Sequence, residues 1–236
     1  MCGRYASARS VDVIAGHFGA ADVDEDLVPP GFNVAPTDRV LVVIEKDGTR
    51  RIAGMRWGLI PSWAADTSGA ARLINARIEG LAEKPVFRTP LAQRRALVPA
   101  DAYYEWFTRP GAQKQPHAIR PADGGLLAFA GLWERWHAPS GERILSCTIV
   151  TTASAGPVAY LHDRMPVVLP PDLWDDWLDT AQVGSGDALA LLHAAGVPEL
   201  VEHPVGTRVN DVRADGSDLL QEVPSVAVNE QLDLLA

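Results

Sequence analysis

Cysteine is scarce in this chain, with only Cys2 and Cys147 among 236 residues. That excludes a disulfide framework and a zinc site built on thiolates. The six histidines are scattered, and His162-Asp163 lacks a convincing third ligand. No metal is therefore expected. Long hydrophobic runs are also missing, so no segment is expected to span a bilayer. The opening MCGRYASARS has no hydrophobic signal segment. A cytoplasmic protein is the expectation, with no membrane attachment. There is no Walker loop and no dinucleotide fingerprint, and no cofactor is expected. Repeats and long linkers are absent too, and a monomer is the simplest expectation.

What remains is a composition suited to a folded core, 47% apolar with modest charge. The net charge of −9 is unevenly placed. Residues 1–162 carry a net +2 and residues 163–236 a net −11. A phosphate-binding surface remains open to the first two-thirds.

The pattern predicts many short strands and few helices. Residues 10–18 read as a helix capped by Ser10. The segment 28–37 is rich in proline and glycine and reads as rigid but irregular. Strands are expected at 40–45 and 49–60, joined at Asp47-Gly48, with 61–71 as a loop. Asn75 is expected to start a short helix that includes Arg77 and Glu79. Further strands are expected at 96–100, 103–107, 117–121, 126–136, 143–152 and 165–169. Helices are expected at 172–179 and at 188–196, the second ended by Gly196. The sum is an α+β fold, one domain over 1–236. Its core is a curved, mainly antiparallel sheet with a barrel-like character and peripheral helices. The acidic portion from about 163 need not mark a boundary.

Cys2 stands out chemically. Removal of Met1 would place an α-amine and a thiol on one residue. Such a 1,2-aminothiol condenses with an aldehyde through nitrogen and then closes a five-membered ring through sulfur. An internal cysteine cannot do this. Cys147 lies in the apolar run LSCTIV, where core packing is the simpler reading.

Other polar residues interrupt apolar or Gly/Pro-rich stretches: Asn75, Arg77 and Glu79 in LINARIEG, Glu105 in VPADAYYEWF, and His162, Asp163 and Arg164 in AYLHDRMPVVL. Each has a structural alternative. Asn75 can cap a helix, Glu105 can pair with an arginine, and His162 can satisfy a buried carbonyl. Their order, however, resembles the SRAP family of DNA-associated proteins that process abasic sites. The matching stretches are MCGRY at 1–5, FNVAPT at 32–37, WGLIPSW at 57–63, INARIE at 74–79, PADAYYEW at 99–106 and HDRMPV at 162–167. They span nearly the whole chain. Ala102 departs from the family's usual glycine.

The resemblance implies a sensor of abasic sites in single-stranded DNA or near single-strand/double-strand junctions. Mature Cys2 would trap the C1′ aldehyde as a thiazolidine, and lyase and reversal activities are implied alongside. Glu105 is implied as the acid/base group and His162 as a proton shuttle, with the steps between them left undivided. Asn75 would orient the cysteine and the adduct. Arg4, Arg77 and Arg164 would contact phosphates, although Arg4 can equally serve an intramolecular pair. Trp63 can stack on a base. Trp57 reads equally well as structural. The family is also described as peptidases, which here could mean self-maturation at Met1-Cys2. A non-covalent single-strand sensor remains a further alternative.

Overall fold

A computed structural model describes residues 2–24, 28–108 and 113–224. Met1 and residues 225–236 of the acidic portion lie outside the described residues. Strand β1 (Tyr5–Ser7), which the pattern did not suggest, leads into helix α1 (Val11–Phe18), the helix expected at 10–18. Ser10 caps α1 by accepting from the Val13 amide, and Gly19 ends it with a left-handed φ of 64°. Ile14 and Phe18 are its buried side.

The short β2 (Asp22–Val23) and β3 (Gly31–Val34) follow. Strand β3 replaces part of the irregular stretch expected at 28–37. Its backbone pairs antiparallel with β1, despite the prolines before and after it. Strands β4 (Arg39–Lys46) and β5 (Thr49–Trp57) form the expected hairpin. Asp47 and Gly48 take φ values of 54° and 73°, as a tight turn with right-handed strand twist requires.

The helix expected from Asn75 is instead strand β6 (Asn75–Arg77), continued by a 3-10 turn at Ile78–Gly80. Three residues are too few to show a period. The deciding factor is the open edge of a later strand, which β6 joins. Helix α2 (Pro85–Gln93) has no counterpart in the sequence prediction. Pro85 sits in its first turn, where a missing amide is harmless. Pro90, however, lies inside it, and that proline hides the helix from pattern reading.

Strands β7 (Arg95–Ala100), β8 (Ala102–Phe107), β9 (Gln115–Pro121), β10 (Leu127–His137) and β11 (Arg143–Ala153) come next, followed by the short β12 (Arg164–Pro166). Helices α3 (Trp174–Leu178) and α4 (Ser185–Ala194) precede β13 (Leu200–Pro204), a strand the pattern did not suggest.

Strands β11, β10, β7, β4 and β5 pair in sequence, and β5 then pairs in parallel with β11. The ring is closed over this short contact, and β6 and β2 cover the edges it leaves on β11 and β5. A second, five-stranded sheet runs β13-β9-β8-β1-β3. Both faces of the ring strands are buried. On β4, Leu41 and Val43 join the cluster that packs against the helices. Val40, Val42 and Ile44 join the cluster shared with Tyr5, Tyr103 and Ile119 of the second sheet. This double burial explains the unbroken apolar run VLVVI. Cys2 belongs to the cluster between the two sheets.

Arg95 is the main buried charge of the helical side. It is almost fully buried and donates to the carbonyls of Leu91, Trp177, Asp179 and Val183 at 3.0, 2.5, 2.8 and 2.9 Å. Leu91 lies in α2, and the other three carbonyls belong to α3 and the turn after it. One guanidinium thus supplies donors to helix ends that would otherwise lack them.

Candidate active site

The second sheet delivers Cys2 and Glu105 to one place. Strands β1 and β8 pair antiparallel, with Tyr5 opposite Tyr103 and Ala6 opposite Ala102. The Tyr104 amide donates to the Arg4 carbonyl at 2.9 Å. Carried on, this register brings Glu105 alongside the residues next to Cys2. Ala102, where the family pattern has glycine, is fully buried within this pairing.

Cys2 has no exposed surface and Glu105 has 5%. Burial raises the Glu105 carboxyl above the ordinary carboxylate range. The charge of the amino terminus, the charge of His162 and a hydrogen bond to the terminal amine pull the other way. Burial and then the nearby Glu105 push the Cys2 thiol far up. The terminal amine and an Arg4 amide hydrogen bond only partly oppose this. The thiol is therefore neutral at rest, beside a carboxyl that can hold or release a proton.

Strand β6 brings in Asn75. It pairs in parallel with β11, Asn75 facing Ile149 and Arg77 facing Thr151. Trp57 is fully buried, and its indole nitrogen donates to the Ile74 carbonyl at 2.9 Å, fixing the entry to β6. Trp57 is thus a structural residue. The Asn75 amide nitrogen donates to the Cys2 carbonyl at 2.8 Å. Its Oδ1 is buried without a partner among the described residues, as is the Thr151 hydroxyl. Asn75 Oδ1 thus stands near the cysteine without a donor.

His162 precedes β12, which pairs with β11 from the other side. Its Nδ1 accepts from the Arg164 amide at 2.9 Å and lies 2.8 Å from Asp163 Oδ1. One nitrogen cannot accept and donate together. The amide bond belongs to the neutral ring and the Asp163 contact to the protonated ring. In the neutral form the proton sits on Nε2. Arg164 makes a two-point contact with Glu79, 2.7 and 2.9 Å, and donates to the Thr151 carbonyl at 2.7 Å.

Cys2, Asn75, Glu105 and His162 therefore come together from four segments. The proposed phosphate contacts differ in kind. The Arg4 Nη1 donates to Asn33 Oδ1 at 2.8 Å and to the Val209 carbonyl at 2.9 Å, and the guanidinium lies over Trp106. Its intramolecular partners are thus an amide and a carbonyl. The Arg77 side chain is exposed and makes no hydrogen bond or ion pair among the described residues. Trp63 is 60% exposed on the loop after β5. That loop is anchored beneath it by Ile60 on Ser146 and by Trp136 on the Ala64 carbonyl. At its base Gly58 has φ 125°, and a Cβ there would lie 2.8 Å from the Ala70 carbonyl oxygen. Only glycine fits.

Sequence reading missed Tyr103 and Thr151. Tyr103 lies near Cys2 and Glu105, and both raise its phenol, after burial. The strand period of two already places it on the face of Glu105. Thr151 gave no signal beyond its place in an apolar strand. Among the described residues no three His, Cys, Asp or Glu side chains gather as a metal site. Clefts of about 670 and 860 Å³ lie along β4 and β5, lined by Arg51 and Arg143, and contain none of the four clustered residues. The chemistry is concentrated at a closed point around Cys2.

The chain belongs to a known family: residues 1–212 match SOS response associated peptidase (SRAP). It is 35% identical to the abasic site processing protein YoqW of Bacillus subtilis (strain 168), over 94% of this chain and 99% of that protein. It is 33% identical to the abasic site processing protein HMCES of Xenopus tropicalis, over 81% of this chain and 66% of that protein. Among solved structures, a Bacteroides thetaiotaomicron protein superposes with a TM-score of 0.79 at 23% identity, over 94% of this chain and all of that one. A phage-related protein of Bordetella bronchiseptica gives 0.70 at 29% identity, over 88% of this chain and 95% of that one.

Proposed function

We propose that this protein processes abasic sites in DNA by trapping the sugar aldehyde on mature Cys2. The observation that carries the reading is the meeting of the Cys2 thiol and the Glu105 carboxyl in one buried cluster, with His162 close enough to act on that carboxyl. The amine that acts on both there is Met1's, and removal of Met1 exposes that of Cys2 itself. The names of the relatives supply the substrate class.

The steps follow from the groups. The Cys2 amine attacks C1′ of the open-chain sugar to give a carbinolamine. Glu105, held protonated more readily by burial, gives a proton to the departing hydroxyl, and water leaves an iminium carbon. Sγ adds to that carbon, and its proton passes to the Glu105 carboxylate. One water is lost overall and a thiazolidine joins protein to DNA. The thiol need not ionise beforehand, so its raised pKa is no obstacle. The iminium also acidifies the C2′ hydrogen. The Glu105 carboxylate left by the dehydration step can remove it and expel the 3′ phosphate, to which His162 Nε2–H can donate, and this is a lyase outcome. Asn75 holds the Cys2 carbonyl and has Oδ1 left to accept from the adduct. Arg77 and Trp63 meet a backbone phosphate and a base of single-stranded DNA or a junction, with Arg4 and Arg164 adding positive charge.

A thiol peptidase needs a thiolate at rest and hence a lowered cysteine pKa. The raised thiol favours the aldehyde trap over that reading. Self-maturation at Met1-Cys2 and non-covalent sensing remain the alternatives. Intact mass measurement after mixing mature protein with abasic single-stranded DNA decides between them. The expected product is a denaturation-resistant adduct at Cys2, lost in Cys2→Ala and in protein retaining Met1. An undiminished adduct in either would overturn the proposal.

A further inference from the structure

We infer that Glu79 is a positioning residue for His162, acting through Arg164. The inference rests on the reading of His162 given above and assigns Glu79 no contact with substrate.

Glu79 sits in the 3-10 turn that ends β6 and is mostly exposed, its side chain at 58%. An exposed carboxylate ordinarily contributes little. This one receives both terminal nitrogens of Arg164, a planar two-point contact that fixes the guanidinium in orientation as well as distance. The Arg164 side chain is only 11% exposed, and its Nη2 also donates to the Thr151 carbonyl. The guanidinium therefore ties the exit of β6 to β11. The backbone amide of the same residue donates to His162 Nδ1. That bond selects the ring form with its proton on Nε2 and sets the ring plane. A chain of contacts thus runs from Glu79 to the Arg164 side chain, to the Arg164 amide, to the imidazole.

The groups around His162 are Asp163 and Arg164 on its own segment and Glu105 from β8. Glu79 reaches it only through Arg164. A carboxylate fork of this kind also imitates a phosphate. The competing view is that Glu79 merely occupies a phosphate site until DNA displaces it. The two views differ in what loss of the Glu79 charge does to DNA affinity.

The test compares Glu79→Gln, His162→Ala and the double variant in the mature protein. Formation and reversal of the adduct with abasic single-stranded DNA are timed separately. Whichever step His162→Ala slows, Glu79→Gln is expected to slow on the order of 10-fold. The double variant should be no slower than His162→Ala alone, because the two act as a unit. Affinity for an undamaged oligonucleotide and its salt slope should stay at the parental values. The charge exchange Glu79→Arg with Arg164→Glu should recover part of the rate. Multiplying effects in the double variant would overturn the inference. So would tighter binding by Glu79→Gln with a salt slope steeper by about one, since that is the mark of an uncovered phosphate site. If His162→Ala slows neither step, the inference falls with it. A parental protein that forms no adduct would instead overturn the aldehyde-trap reading. Thermal midpoints of all variants separate these results from misfolding.

Discussion

The Asn75 side chain donates to the backbone carbonyl of Cys2 across 2.8 Å, joining β6, the short strand paired to the ring, to the second residue of the chain. The bond is to main chain, so it fixes where the reactive residue begins and leaves its side chain and amine to the chemistry. Asn75→Ala should slow adduct formation about 10-fold, from loss of a hydrogen bond worth about 1–1.5 kcal/mol. Asn75→Asp should be no better, because a carboxylate cannot donate to that carbonyl. Single-turnover cross-linking rates would check both. A fully active Asn75→Asp would show that the donor is dispensable.

Glu105 links activity to stability. Its carboxyl is raised in the folded state, so the fold holds that proton more tightly than the unfolded chain does. The resulting stability is fully present below the ordinary carboxylate range and is lost as pH rises through the raised folded value. Glu105→Gln removes the ionisation. Its thermal midpoint relative to the parent should therefore improve across that window and level off above it. Cross-linking should meanwhile fall by about 10²–10⁴. Melting curves over a pH series would show it, and a constant difference at every pH would contradict it.

Cys2→Ser keeps the amine and replaces sulfur with a poorer nucleophile. Its product with abasic DNA should stop largely at the imine. Denaturing gels should then show a cross-link only after borohydride reduction, whereas the parental adduct needs none.

Arg77 and Trp63 should separate charge from stacking. Arg77→Ala should weaken DNA binding and reduce the salt slope by about one. Trp63→Ala should lose about 1–3 kcal/mol of affinity with the slope unchanged. Fluorescence titrations at several salt concentrations distinguish the two, and an unaltered slope in Arg77→Ala would remove that residue from the interface.

Arg95 offers a control far from the chemistry. Arg95→Met leaves four carbonyls without their donor and should destabilise the fold by on the order of 3 kcal/mol. That corresponds to a midpoint lower by roughly 10 °C for a chain of this size. Cross-linking at low temperature should be nearly unchanged.

Local chemistry made some of this fold legible in the sequence. Asp47-Gly48 announced its hairpin because only certain residues accept that backbone, and Ser10 marked the start of α1 because its side chain can accept from a free helix amide. Elements that depend on distant partners were not legible. Strand β6 exists because β11 offers it an edge, and no feature of Asn75-Ala76-Arg77 distinguishes it from a helix start. Helix α2 is held by packing in spite of Pro90, and β13 by pairing with β9. The ordered motifs carried Cys2, Asn75, Glu105 and His162 to one site. They did not show that Arg164 is gripped by Glu79, because a two-point contact between residues 85 apart leaves no local trace.

The complete burial of Cys2 has a consequence in time. The residue is made second, but its surroundings include β8, β11 and the segment before β12, which are made up to about 160 positions later. At translation speeds of about 5–20 residues per second the terminus waits roughly 10–30 s for its enclosure. A methionine aminopeptidase acting in trans has that interval, on a nascent and still open chain, to free the Cys2 amine before the residue is enclosed. Slowing the enzyme or hastening translation should thus leave a larger share of newly made protein unable to react.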